Sequence, residues 1–147
     1  MAGFLFSFVN MRVSPDHITE LKENEIFVFG SNLIGKHGKG AALTAKQKFG
    51  AIEGIGEGLQ GQSYGIPTKY HPKDICPLSM IFFHVDKFVM FARDNPKLKF
   101  LVTEIGCGYA KYKPEDIAPL FKQAMKHKKT NNIYLPQSFL NIVNESI

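Results

Sequence analysis

The residues with the most chemical capacity in this chain fall in two short glycine-rich stretches. The first is Ser31-Asn32-Leu33-Ile34-Gly35-Lys36-His37-Gly38-Lys39-Gly40-Ala41-Ala42. An amide, two amines and an imidazole stand there among glycines, whose missing side chains let backbone N–H groups come close to an anion. The second stretch, Ile105-Gly106-Cys107-Gly108-Tyr109, repeats the pattern with a thiol and a phenol. Loops of this kind bind phosphate when a helix follows, because its first turn offers unpaired N–H groups and the positive end of a dipole. Beside a bound phosphate, Lys36 or His37 could supply nucleophilic or acid–base chemistry.

Each stretch follows an apolar run. Residues 25–30 and 98–105 are rich in β-branched and aromatic side chains and read as buried strands. A helix is expected over about residues 38–49, with Ala41, Ala42, Ala45 and Phe49 inward and Lys46 and Lys48 outward. Residues 64–68 read as a strand stopped by Pro72. Leu78, Ile81, Phe82, Val85, Phe88, Val89 and Ala92 then make a helical stripe closed by Asp94-Asn95-Pro96. Pro114 opens a further helix, with Glu115 and Asp116 in its first turn and Pro119 as a bending point. A strand over residues 133–135 and a helix over residues 139–143 finish the chain, and residues 3–13 read as an outer strand. The glycines between Gly50 and Gly65 suit either close backbone approach or simple flexibility.

Strands alternating with helices predict a largely parallel sheet covered on both faces. Ligands of such sheets sit beyond the carboxyl ends of the strands. If the strands ending at Phe29 and Ile105 are neighbours, the two glycine turns face each other across one cleft.

The bulk properties are those of one globular domain over residues 1–147, with 44% hydrophobic and 21% charged residues. A net charge of +5 and a pI near 9.2 favour anionic partners. The one basic cluster, Lys126-His127-Lys128-Lys129, stands where a helix C-terminus is expected and complements its dipole. Cys76 and Cys107 are widely separated and lack ligand spacing, so a reducing, cytoplasmic setting is expected, with no metal and no cofactor. Residues 3–9 are apolar but too few to span a bilayer, and they lack a basic n-region, so no membrane partner is expected.

With these motifs in place, the chain resembles the macro domain. Asp16-His17-Ile18-Thr19, a strand ending in Asn32, the glycine loop over residues 35–42, and Ile105-Gly106-Cys107-Gly108 match that family's signatures in order. The likeness runs from Asp16 to Leu135. Phe29-Gly30-Ser31-Asn32-Leu33 together with Gln60-Gly61-Gln62-Ser63-Tyr64 is similar to a branch found in bacteria and phages. The resemblance implies a three-layer α/β/α fold with a mixed, mostly parallel central sheet, and a site for ADP-ribose or a related NAD-derived nucleotide. It implies that Asp16, with Ile18 beside it, takes the adenine, and that Asn32 contacts the distal ribose. It also implies that residues 35–40 and 106–109 wrap the diphosphate, so that Ser31, Gly35, Gly38, Lys39, Gly40, Ala41, Ile105, Gly106, Cys107, Gly108 and Tyr109 line the ligand.

Lys36-His37-Gly38-Lys39-Gly40 is also similar to the loop of the terminal ADP-ribose protein glycohydrolase, whose lysine attacks the ribose anomeric carbon. Lys36 falls on that lysine, and Lys39 and His37 are cations that would lower its pKa. Tyr109-Ala110 follows the Gly-Cys-Gly, however, so an alanine stands where that enzyme has its aspartate. Blander duties compete at several positions. Asp16 suits a turn or helix cap, Lys36 and Lys39 suit electrostatic guidance, His37 suits a solvated loop, and Cys107 suits packing. Asn32 stands out because an amide at a strand end has few purely structural duties.

Three functions are compatible with these residues. The first is binding of ADP-ribose or a related adenine diphosphate. The second is hydrolysis, either of ADP-ribose from an ADP-ribosylated macromolecule or of the phosphate of ADP-ribose 1''-phosphate. The third is a nucleic-acid-binding module, suggested by the basic pI alone and lacking an aromatic-interleaved basic stripe.

Overall fold

A computed structural model describes residues 12–145. Its elements are β1 (Val13–Ser14), β2 (Glu25–Asn32), α1 (Gly40–Lys48), β3 (Gly58–Gln60), β4 (Ser63–His71) and β5 (Asp74–Ile75), then α2 (Leu78–Asp94), β6 (Lys99–Val102), α3 (Pro114–Met125), β7 (Ile133–Pro136) and α4 (Gln137–Asn144). Most of the strand expected over residues 3–13 lies outside the described residues.

Among the described residues one sheet runs β1-β7-β6-β2-β4-β3, with β5 paired to β4. The pairs β1–β7, β7–β6, β6–β2 and β2–β4 are parallel, so these five strands end on one edge. The hairpin partners β3 and β5 run antiparallel to β4, which makes the sheet mixed but mostly parallel. The α/β class is as the alternating pattern predicts.

Strand alternation in β2 divides the core. Ile26 and Val28 join Phe100, Val102, Ile66 and the inner faces of α2, α3 and α4. Phe27 and Phe29 point the other way, onto Ala42, Ala45 and Phe49 of α1 and its C-terminal end. Helices thus cover both faces, the arrangement that a three-layer α/β/α fold requires.

Two helix starts differ in a way that bears on function. At α3, Pro114 opens the first turn, Glu115 and Asp116 follow, and Asp116 accepts from the Lys113 N–H at 3.0 Å. Its Pro119 is exposed, so the carbonyl it deprives of a donor faces water and the helix continues through it. At α1 the N-cap is Lys39, with no side-chain capping bond and no acid in the first turn.

Candidate functional site

β2 and β6 are direct neighbours, with Val28 paired to Val102. The glycine turns that follow them meet: a Cβ placed on Gly30 would lie 3.4 Å from the Gly106 nitrogen. Both turns line a single cleft of about 470 Å³ beyond the carboxyl ends of the parallel strands. From the first turn it gathers Ser31, Asn32, Lys36, Gly38, Lys39, Gly40 and Ala41; from the second, Ile105, Gly106, Gly108 and Tyr109.

The start of α1 forms part of the wall. A lysine at the N-cap, with nothing acidic nearby, opposes both the capping preference and the helix dipole. The first N–H groups of α1 are left to solvent or to a ligand, and an anion there would offset the local cost.

The loop is braced from within and from beneath. Asn32 accepts from the Lys36 N–H and donates to the Lys36 carbonyl, both at 2.9 Å. One lone pair and one N–H of that amide stay available on the cleft side. The Ser31 hydroxyl donates to the Gly56 carbonyl. A side chain at Gly56 would collide with the Asn32 and Leu33 carbonyls, and one at Gly35 with the backbone of Gly54 and Ile55. Gly35 also has φ +74°, and its carbonyl accepts from the Gly54 N–H at 2.8 Å. Of the glycines of residues 50–61, Gly56 packs against the backbone of the first glycine loop and Gly50 and Gly61 pack against each other, whereas a Cβ on Gly54 or Gly58 would meet nothing within 4 Å. Gln60, buried, holds this segment in shape by accepting from the Ile52 N–H at 2.7 Å and donating to the Ile55 carbonyl at 3.0 Å.

Several expected site residues are placed elsewhere. His37 is not on a solvated loop surface: its ring is fully buried, edge-on to Phe29 with centroids 5.3 Å apart. Its Nε2 lies 3.0 Å from the Ile55 carbonyl and so donates to it, leaving Nδ1 without a partner. The ring is held under the loop by its edge contact with Phe29 and its bond to the Ile55 carbonyl, and it does not line the cleft. Gly35 is likewise beneath the loop. Cys107 turns its Sγ to the Ile105 carbonyl at 3.5 Å, and burial together with Glu104, Asp116 and Glu115 pushes its thiol up to about 12. Asp16 is exposed in a bend after β1, outside the cleft wall. Ile18 packs with Leu21 against the α1 side of the sheet and borders a separate hollow with Leu101 and Tyr134.

The cleft also contains residues that the motifs did not mark. Lys69, Pro72 and Lys73 come from the β4–β5 hairpin; Thr103, Glu104 and Ala110 come from the β6 side. The Thr103 hydroxyl donates to the Val28 carbonyl at 2.8 Å, and Glu104 accepts from the Ser138 hydroxyl at 2.5 Å. Ala110 forms an apolar piece of the wall. The Tyr109 ring reaches across to the first loop, where a Cβ on Gly40 would lie 3.0 Å from its Cε2. Lys39 Nζ stands 5.7 Å and Lys69 Nζ 5.5 Å from its centroid. Burial, and then the charges of Lys39 and Lys111, lower the pKa of Lys69. β4 ends at His71, where Pro72 is expected to stop it, and the turn at Pro72 and Lys73 leads into β5; the register that sets Lys69 beside Asn32 has no sequence signal.

The fold is an α/β domain with a lysine-bearing cleft beyond the carboxyl ends of the parallel strands of a mixed sheet. The chain matches no protein-family model, no curated protein and no solved structure. Among the described residues there is no cluster of His, Cys, Asp and Glu able to hold a metal, and no helix long and apolar enough to cross a membrane.

Proposed function

We propose that this cleft binds ADP-ribose or a related adenine diphosphate, with the two glycine turns enclosing the diphosphate. The observation that carries the reading is the meeting of those turns around one cleft beside an uncapped, lysine-flanked helix start. The backbone N–H groups of residues 38–41, Gly106 and Gly108 take the phosphoryl oxygens. The remaining N–H of Asn32 takes a hydroxyl of the distal ribose, and Tyr109 closes over the phosphates. The adenosine end lies toward the β7 and β1 side of the strand edge, where Asp16 stands.

A thermal-shift series with ADP-ribose, NAD and AMP tests this, since a ligand of the folded state raises the melting temperature. The largest saturable shift is expected with ADP-ribose. No shift with any of the three overturns the reading.

A second reading, hydrolysis of an ADP-ribosyl bond, is favoured by one observation: Lys36 and Glu104 line the same cleft, so an amine and a carboxylate are both at hand. Release of ADP-ribose from an ADP-ribosylated protein or DNA, lost in both Lys36→Ala and Glu104→Gln, is the result that this reading requires.

A further inference from the structure

The segment that braces the first glycine loop from beneath is anchored on its other side by a titratable pair. Toward the loop, its Gly56 carbonyl accepts from the Ser31 hydroxyl, its Gly54 N–H donates to the Gly35 carbonyl at 2.8 Å, and its Ile55 carbonyl accepts from the His37 ring at 3.0 Å. Toward α2, Glu57 holds His84 Nδ1 at 2.5 Å through one carboxylate oxygen and Lys87 Nζ at 3.0 Å through the other. The His84 side chain is 7% exposed and that of Glu57 23%, so the pair is shielded from the water that makes surface ion pairs weak. Neither residue lines the cleft.

The path from this pair to the ligand loop is short. Glu57 adjoins Gly56, and a Cβ on Gly56 would lie 2.1 Å from the Asn32 carbonyl oxygen, so the two backbones are in contact. Packing this close transmits displacement instead of absorbing it. Glu53 adds a second hold on the loop, accepting from the His37 N–H and pairing with Lys46 of α1, both at 3.2 Å.

The charged groups around His84 are few among the described residues. Glu57 comes from the bracing segment and Lys87 from α2 itself. The Tyr64 phenol of β4 is raised by burial and by the charge of Glu57, which keeps it neutral. On the α3 side, Lys128 is taken by Asp86 at 2.5 Å. Of these side-chain types, imidazole is the one that ordinarily changes charge between pH 5 and 8. As a cation it makes a charge-assisted bond to a carboxylate, roughly twice as strong as the bond of the neutral ring.

We infer that Glu57 and His84 position the first glycine loop from α2, so that protonation of His84 tightens ligand binding in the cleft. The gain is present while the ring is charged and is lost as rising pH removes its proton. Glu57 and His84 are positioning residues, acting through Gly56 and Asn32. The choice of ligand rests on the ADP-ribose reading; the link from α2 to the loop does not.

Calorimetry on the intact chain with ADP-ribose, from about pH 5.5 to about pH 8, tests the coupling, since the diphosphate keeps its charge over that range. Affinity is expected to fall about fivefold from the lower end to the upper. His84→Gln should bind as the parent does at the upper end and show no slope. Lys87→Met, which leaves the imidazole in place, should keep the slope. If His84→Gln folds poorly, Glu57→Gln removes the facing charge with little change of shape and should flatten the profile in the same way. A flat profile in the parent overturns the inference, and so does a slope that survives in both Gln variants, which would belong to another group such as His37.

The link is also readable without ligand. In amide NMR spectra of the free chain, Ser31, Asn32 and Lys36 should shift with the same midpoint as the His84 ring, and stay still in His84→Gln. If ADP-ribose fails to bind while these amides follow His84, the link stands and the ADP-ribose reading falls. Amides that ignore His84 discard the link, whatever the cleft binds.

Discussion

Asn32 and Lys36 are joined twice, side-chain amide to backbone, with both hydrogen bonds at 2.9 Å. The amide therefore shapes the first glycine loop as well as lining the cleft. Asn32→Ala strips two partners from the Lys36 backbone and is expected to lower unfolding free energy by about 1–3 kcal/mol. ADP-ribose affinity should fall with it. Asn32→Asp keeps the acceptor and recovers part of the stability but none of the affinity, because its charge faces the diphosphate. Urea unfolding and calorimetry on the two variants check this; lost affinity at full stability would show that the amide serves the ligand alone.

Two glycines near the cleft should respond in opposite ways. A Cβ on Gly38 meets nothing within 4 Å, so Gly38→Glu adds only a carboxylate at the anion site. Its melting temperature should stay within about 2 °C of the parent, while ADP-ribose binding weakens by about tenfold or more. Gly56→Ala forces a methyl group into the Asn32 and Leu33 carbonyls and should cost about 3 kcal/mol or more. Thermal unfolding and calorimetry on the pair separate loop support from ligand contact.

The Cys107 thiol, pushed up to about 12, is almost wholly protonated at pH 8. Iodoacetamide should alkylate it far more slowly in the folded chain than in urea, as peptide mass spectrometry can follow; equal rates would contradict its half-buried, raised-pKa setting. The same shift has a sign for stability. The folded state holds a proton that the unfolded thiol releases near 9, so the contribution is complete below about pH 9 and is lost progressively toward about pH 12. Cys76, Tyr64 and Tyr112 are raised as well, chiefly by burial, and add to alkaline destabilisation. Urea midpoints measured upward from pH 8 should therefore decline.

His37 is a strut under the loop. Diethyl pyrocarbonate should modify the exposed His17 and His71 in the folded protein and reach His37 only on unfolding. Modification of His37 at the rate of His71 would place it back at the surface.

Much of the scaffold was legible because burial writes itself into the sequence. The runs before Gly30 and Gly106 announced two buried strands, and the stripe from Leu78 to Ala92 announced α2. Residues whose duty is polar and local were harder to read. Asn32 looked free for a ligand because nothing in a linear string shows that its amide folds back on Lys36. His37 looked solvated because its neighbours are lysines and glycines, while the socket that captures it comes from Phe29 and the distant Ile55. The strand does stop at Pro72, since β4 ends at His71, but the two-residue strand β5 after the turn carries no sequence signal, and so neither does the hairpin that brings Lys69 and Lys73 to the cleft. Gln60 and Gln62 bond to backbone and brace the approach to β2.

The backbone-on-backbone seam between residues 35 and 56 also limits how this protein can change. Gly35 and Gly56 leave no room for a side chain, since an added Cβ would strike the facing backbone, so variation among kindred chains should spare these two positions. Room to diverge remains in the β4–β5 hairpin, where a swapped turn leaves the seam untouched. Retargeting the cleft to another terminal group, by selection or by engineering, would start there.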